Sequence, residues 1–174
     1  MSESAFIVRV PEAEGPVGDL RRRFDASARL GVPAHITVLF PFMPPEQITD
    51  AVLRRARAAL APLASFTFRL SRVGRFAATA WLAPEPAQPF IALTQALVGA
   101  FPGFLPFRGE HAGVVPHLTV ANGSREEAEI AAAELARVMQ AHGAIDGVCD
   151  SVALLDNASG AWRERQVFAL GARR

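Results

Sequence analysis

The chain carries one short motif twice, and this repetition limits its fold more than any other feature. The segments "VPAHITVLF" (32–40) and "VVPHLTVAN" (114–122) each place a histidine two positions before a threonine in an otherwise apolar run. Shuffling this composition gives roughly 0.03 copies of His-apolar-Thr-apolar, so two copies favour a shared purpose. The alternative is two unrelated histidines on half-buried strands, each beside a threonine that is present for its strand propensity.

The spacing within each motif predicts a polar front and an apolar back. Successive side chains of a strand point to opposite faces, so His35 and Thr37 share one face, as do His117 and Thr119. The apolar residues between them point the other way, where we expect them to pack against helices. Two such polar fronts that face each other would form one site.

The rest of the chain predicts short strands that alternate with helices, in the same order twice. The first unit comprises a strand at 5–10, a helix that stops at Gly31, a strand at 34–40, a helix opened by Pro44 and Pro45, and a strand at 65–73. The second comprises a strand at 78–83, a helix at 89–101, a strand at 115–121, a helix after Ser124 that stops at Gly143, and strands at 147–156 and 163–170. Ser124 and Glu127 have the spacing of a capping box.

With both motifs in view, the sequence resembles the two-histidine phosphoesterase superfamily, which includes LigT-like 2'-5' RNA ligases and 2',3'-cyclic phosphodiesterases. "HITVLF" and "PHLTVA" match its two His-x-Thr/Ser-x motifs, and "VGRF", "TAWLAP" and "WRERQVFALG" resemble its other strands. The resemblance implies an α+β fold with two lobes related by a pseudo-twofold axis, in which two antiparallel sheets line a central groove and helices lie outside. We expect a single two-lobed domain over 1–174, with one motif in each lobe.

The chemistry of a phosphodiester explains why two histidines would be paired. A cyclic phosphate opens when a nucleophile attacks in line while the leaving oxygen receives a proton. Imidazole does either job near neutral pH, and we assign His117 as the base and His35 as the acid, roles that the pseudo-symmetry makes nearly interchangeable. Thr37 and Thr119 would donate hydrogen bonds to the non-bridging phosphate oxygens.

Two further residues are candidates for substrate binding. Phe76 would stack on a base at the mouth of the groove, as the resemblance suggests, and a core phenylalanine is the alternative. Arg75, like Arg72, flanks it and would meet phosphate, although arginines at a strand end are usually solvated. His111 lies on a glycine-rich loop and is interpreted as a solvated histidine.

Three functions remain open at this stage. The first is a metal-independent hydrolase of 2',3'-cyclic phosphates on nucleotides or RNA ends, which by resemblance would leave 2'-phosphates. The second is 2'-5' RNA ligation, the same chemistry in reverse. Ligase-like members commonly carry arginine directly after the second motif, where this chain has Asn122. The third is a nucleotide-binding module without turnover, which would not require a proton-transferring pair.

Composition excludes several classes of protein. The net charge of +1 does not favour a long nucleic acid as partner. The single Cys149 has no disulfide or zinc partner, and no apolar run reaches the roughly 20 residues that span a bilayer. We therefore expect a soluble, cytoplasmic monomer with no metal, cofactor, membrane contact or obligate protein partner, acting on a nucleotide or RNA end that carries a cyclic phosphate.

Overall fold

The eight strands found among the described residues pair into one antiparallel sheet. A computed structural model of the chain describes residues 1–110 and 113–172. The strands, in chain order, are β1 (Ser4–Arg9), β2 (His35–Leu39), β3 (Phe66–Phe76), β4 (Thr79–Glu85), β5 (Leu118–Asn122), β6 (Ile145–Cys149), β7 (Ser151–Asp156) and β8 (Arg163–Ala169). Their order across the sheet is β6-β3-β4-β5-β2-β1-β7-β8, and every neighbouring pair is antiparallel.

The helices occur where the sequence predicts them, but two boundaries differ. The helices are α1 (Glu14–Phe24), α2 (Ala26–Arg29), α3 (Asp50–Leu60), α4 (Gln88–Ala100) and α5 (Arg125–His142). Asp25 ends the first helix early because its backbone is extended and its side chain caps α2. The third helix starts at Asp50 because the Thr49 hydroxyl caps it, while the preceding prolines lead only to a short 3-10 turn.

The α+β class and the antiparallel pairing are confirmed, whereas the number of sheets differs from expectation. Instead of two sheets, two four-stranded halves are joined into one by a single pairing, between Ile36 of β2 and Leu118 of β5. Separate sheets would leave the inner edges of both motif strands with unpaired backbone groups, which is unfavourable away from water. The join therefore lies between the two motifs.

Each half is built from both parts of the chain. The half that contains β2 also contains β1, β7 and β8, whereas β5 lies with β4, β3 and β6. The segment predicted as one strand at 147–156 is interrupted at Asp150 and supplies β6 to one half and β7 to the other. Two helices also connect the halves. Helix α1 follows β1 but packs on β5 and α5, and helix α4 follows β4 but packs on β2 and α3.

Burial confirms the predicted alternation in both motif strands. Ile36, Val38, Leu118 and Val120 are at most 3% exposed and belong to the main core. The motif histidines and threonines between them are half-buried on the other face, which we call the motif face. Among the described residues, no helix is both long and apolar enough to cross a membrane.

Candidate active site

The register at the join brings the four motif residues together. With Ile36 opposite Leu118 on antiparallel strands, His35 falls beside Thr119 and Thr37 falls beside His117, all on the motif face. On a regular ladder the histidines are then diagonal neighbours, with backbones roughly 7–8 Å apart. This spacing is suited to two imidazoles that act on opposite sides of one small group.

Both histidine rings are anchored in the same way. Nδ1 of His35 lies 2.8 Å from the carbonyl oxygen of Pro33, and Nδ1 of His117 lies 2.6 Å from that of Val115. A carbonyl oxygen only accepts, so each Nδ1 must carry the proton that it donates. In its neutral form each ring therefore has an unprotonated Nε2, which is able to accept a proton.

The surroundings lower the pKa of both imidazoles. Burial lowers the pKa of His35 to about 4, and the positive charges of Arg21 and His117 add to this effect, opposed by the Pro33 hydrogen bond and by Asp25. Burial also lowers the pKa of His117, and the hydrogen bond to the carbonyl oxygen of Val115 opposes this effect. Both rings are consequently neutral near pH 7. The effect of His117 on the pKa of His35 is consistent with two rings that are close together.

An aromatic cluster adjoins the second histidine. The ring of Phe76 lies edge-on to His117 at 5.3 Å between centroids, and Trp81 lies 5.6 Å from His117 and 5.0 Å from Phe76. Gly74 pairs with Trp81 across β3 and β4 and lies directly against the indole. Phe76 is 42% exposed, so the structure places this predicted residue at the site with part of its ring open to solvent.

Arg75, in contrast, is not brought to the site. It pairs with buried Ala80 on the side of the sheet that faces α5, and its Nη2 donates to Glu129 of that helix at 3.4 Å. Arg72 shares the motif face with Phe76, because residues two and four apart on a regular strand point the same way. Of the two arginines that flank Phe76, only Arg72 thus lies on the motif face.

Sequence reasoning missed three residues next to the histidines. Neither His-x-Thr motif includes Trp81, and its place opposite Thr119 follows from a pairing that the sequence alone does not reveal. Arg21 and Asp25 act on His35 from the end of α1. Their only sequence signal is the spacing of four that allows an ion pair on one helix.

Other features lie away from the motif face. Two surface clefts share Glu12 and Val148 in their walls, and neither is lined by a motif histidine or threonine. Within residues 1–110 and 113–172, no three His, Cys, Asp or Glu side chains are grouped as a metal site would require. His111 is outside the described residues.

Comparison with known proteins agrees with this geometry. A sequence profile described as the 2'-5' RNA ligase superfamily matches residues 10–161. A curated Bacillus cytotoxicus protein, named for an expected phosphoesterase activity, is 33% identical over 102 residues, which cover 59% of this chain and 58% of that protein. The match therefore spans less than two thirds of this relative's length.

Solved structures share the fold over nearly the whole chain. E. coli LigT complexed with 3'-AMP has a TM-score of 0.62 and 14% identity, covering 97% of this chain and 98% of LigT. A Thermus thermophilus protein has a TM-score of 0.59 and 15% identity, covering 99% of this chain and all of that one. At such identities the likeness establishes the fold.

Proposed function

The chain belongs to the 2'-5' RNA ligase superfamily, and from this premise we propose that it hydrolyses 2',3'-cyclic phosphates of nucleotides or RNA ends to 2'-phosphates. The observation that carries the proposal is the pair of imidazoles on one sheet face, each with Nδ1 held by a carbonyl. Such a pair has two free Nε2 atoms for proton transfer. In the strand register, a threonine of the opposite motif is the neighbour of each histidine.

In the proposed reaction, one imidazole accepts a proton from water as the water oxygen bonds to phosphorus. The bond from phosphorus to O3' breaks, and the second imidazole, protonated at the start, donates its proton to O3'. Thr37 and Thr119 donate hydrogen bonds to the non-bridging oxygens, where negative charge accumulates. The product carries a 2'-phosphate and a free 3'-hydroxyl. The two imidazoles then return to their starting protonation states by proton exchange with solvent.

The acid must acquire its proton when substrate arrives. Both imidazoles are neutral in the free protein near pH 7, and a phosphate anion beside them raises their pKa values. Our assignment of His117 as base and His35 as acid remains a prediction. The stronger depression at His35 favours the reverse order, because a base has to be neutral before it accepts a proton.

A nucleotide is the substrate class that the surroundings favour. The exposed part of Phe76 beside His117 suits a stacked base, an interaction worth about 1–3 kcal/mol. Structures of E. coli LigT are described as complexes with 3'-AMP, NADP+, ATP and phosphate, which supports a nucleotide here by analogy.

Hydrolysis is favoured over ligation by the residue after the second motif. Asn122 ends β5 as a neutral amide beside the Thr79 hydroxyl, 3.4 Å away, where ligase-like members commonly carry arginine. The small net charge also provides little attraction for a second RNA strand. The experiment is therefore designed to distinguish hydrolysis from ligation and from nucleotide binding without turnover.

The test incubates the purified protein with 2',3'-cyclic mononucleotides and with cyclic-phosphate-ended RNA in EDTA, and assigns the product by 31P NMR. We expect 2'-phosphates as the reaction product. His35→Ala and His117→Ala should each lower kcat by roughly 10²- to 10⁴-fold, and the double variant should lose far less than the two single losses multiplied together. His142→Ala, at the exposed end of α5, is the matched control and keeps full activity.

Three results would contradict the proposal. Full activity in either motif variant would remove the paired acid and base. Joined RNA as the main product would favour ligation. Nucleotide binding without turnover in the native chain would favour the binding module.

A further inference from the structure

The segment before His35 is held by helix α1 at two backbone atoms. A carboxylate oxygen of Glu14 accepts a hydrogen bond from the amide of Ala34 at 2.6 Å. Nη2 of Arg21 donates to the carbonyl oxygen of Val32 at 3.2 Å. The two contacts bracket Pro33, so the orientation of its peptide is fixed from both sides.

Pro33 is the residue whose carbonyl oxygen accepts the proton of His35 Nδ1. The bond from Nδ1 fixes the tautomer and rotation of the ring, so whatever fixes that carbonyl also fixes the imidazole. The path of contacts from α1 to the reacting nitrogen is therefore short. It runs from the helix side chains to the backbone of 32–34, from there to Nδ1, and through the ring to Nε2.

Arg21 is unusual in its burial. It is 2% exposed, and its guanidinium is neutralised by Asp25 at 3.1 Å and, more distantly, by Glu14 at 4.0 Å. Among residues 1–110 and 113–172, no group forms a hydrogen bond with its buried Nε. A buried ion pair is often no more stabilising than apolar residues of the same size, so its presence suggests a role beyond stability.

Asp25 extends the same group to the other motif strand. Its carboxylate also accepts from the amide and hydroxyl of Ser27, which keeps it in place. Its backbone forms an isolated bridge with Asn122, at the end of β5. The C-terminal end of α1 thus contacts the lead-in to the first motif and the end of the second.

We propose that Glu14, Arg21 and Asp25, which we call the α1 clamp, form a positioning device that holds His35 in its Nδ1-protonated orientation and keeps the buried Arg21–Asp25 ion pair at the segment that leads into the first motif. The proposal rests on the proposed function, because it assigns the clamp a purpose in proton transfer at His35. None of the three residues is a catalytic residue.

Several charged groups around His35 affect its pKa, and Arg21 is one that lowers it. Arg21 of α1 disfavours a proton on the imidazole, Asp25 directly after α1 favours one, and His117 directly before β5 disfavours it. From β1, Arg9 lies opposite His35 in register and is paired with Glu164 of β8. His117 differs, because burial alone lowers its pKa, the hydrogen bond to the Val115 carbonyl opposes this, and Val115 is 53% exposed.

The test compares three variants by 15N and 13C NMR of the histidine rings between pH 3 and 8. Arg21→Gln removes the charge, and we expect the pKa of His35 to rise by about one unit while that of His117 stays. Arg21→Lys retains the charge and restores most of the shift. Arg23→Gln, two residues along the helix in an exposed pair with Glu134, is the control with the same change in net charge and leaves both histidines unaltered.

Glu14→Ala keeps the test decisive if Arg21→Gln fails to fold, because Glu14 is 44% exposed on its side chain. We expect it to mix the His35 tautomers and to lower kcat several-fold with little change in KM. Three results would overturn the clamp. The first is an equal change in the pKa of both histidines in Arg21→Gln, and the second is the same change in Arg23→Gln. The third is a single, unaltered His35 tautomer in Glu14→Ala. The ring signals do not depend on turnover, so a protein that fails to hydrolyse cyclic phosphates would still decide this question.

Discussion

At the scale of single residues, the site depends on which histidine nitrogen carries the proton. The motif pattern correctly predicted that histidine and threonine share a face, because that follows from strand periodicity alone. It did not predict the hydrogen bonds that the rings donate to the carbonyl oxygens of Pro33 and Val115, or the lowered pKa values. Both depend on how the preceding loop folds back. Burial keeps each ring neutral near pH 7, and the hydrogen bonds determine that Nδ1 carries the proton.

The pKa values predict an acidic optimum. Activity requires one neutral and one protonated imidazole, so kcat/KM should be bell-shaped with its maximum between the free-protein pKa values, below pH 6.5. The maximum of kcat should lie at higher pH, because bound phosphate raises both values. Initial rates on a cyclic mononucleotide from pH 4 to 8 measure both profiles. A profile that rises or falls steadily over this range would contradict paired proton transfer.

At the scale of elements, the β3–β4 hairpin carries the least predictable part of the site. Leu70 faces the core, and simple alternation would bury Phe76 with it. A register irregularity between Leu70 and Arg72 reverses the faces, which turns Phe76 and Gly74 toward the motif face and Arg75 toward α5. A bulge has no reliable signature in the sequence, so the sequence alone does not reveal that Phe76 lies on the motif face and Arg75 on the face toward α5.

Other differences between sequence and structure have the same physical cause. The capping box of α5 was predicted because both partners lie within four residues of each other, and the structure confirms it. The division of 147–156 into β6 and β7 was missed, since their partners β3 and β1 are far away in sequence. Local contacts were predictable, and long-range pairing was not.

A glycine pair tests the role of the hairpin. A Cβ on Gly74 would lie 2.4 Å from the indole of Trp81, so Gly74→Ala must displace the ring that packs beside His117. We expect a loss of about 1–3 kcal/mol in the free energy of unfolding and a lower kcat in the folded fraction. Gly99→Ala, on α4 with no neighbour within 4 Å, should instead gain about 0.5–1 kcal/mol. Urea unfolding and initial rates measure both, and unchanged values for Gly74→Ala would contradict this packing.

At the scale of the whole molecule, the lowered pKa of His35 makes folding sensitive to acid. The folded-state pKa of about 4 is below the ordinary value of 6.5, so between these pH values the unfolded chain binds a proton that the folded chain does not. The free energy of unfolding should therefore fall by up to about 3 kcal/mol as the pH falls from 7 to 4, less where solvent reaches the ring. Urea titrations at several pH values measure it. His35→Gln should show a smaller fall and His142→Gln the same fall as the native chain; an equal fall in His35→Gln would contradict it.

The two halves of the sheet should unfold together, even though one strand pairing joins them. Helix α1 follows β1 in one half and packs on β5 in the other, and α4 connects the halves in the opposite direction, so neither half keeps its core without the other. This interlocking favours the single domain over 1–174 that the sequence suggested, which remains a prediction.

The two tryptophans are positioned to test this cooperativity, with one in each half. Trp81 lies on β4, and Trp162 packs against Phe40 beside a small cluster on β1 and β7. In Trp81→Phe and Trp162→Phe the remaining indole reports on one half, and we expect the same urea midpoint from its fluorescence and from far-ultraviolet circular dichroism within each variant. Because both probes are compared in the same variant, any loss of stability from the substitution cancels. A fluorescence transition that precedes the loss of secondary structure would show that one half melts alone, and that the crossing helices do not couple the two motifs.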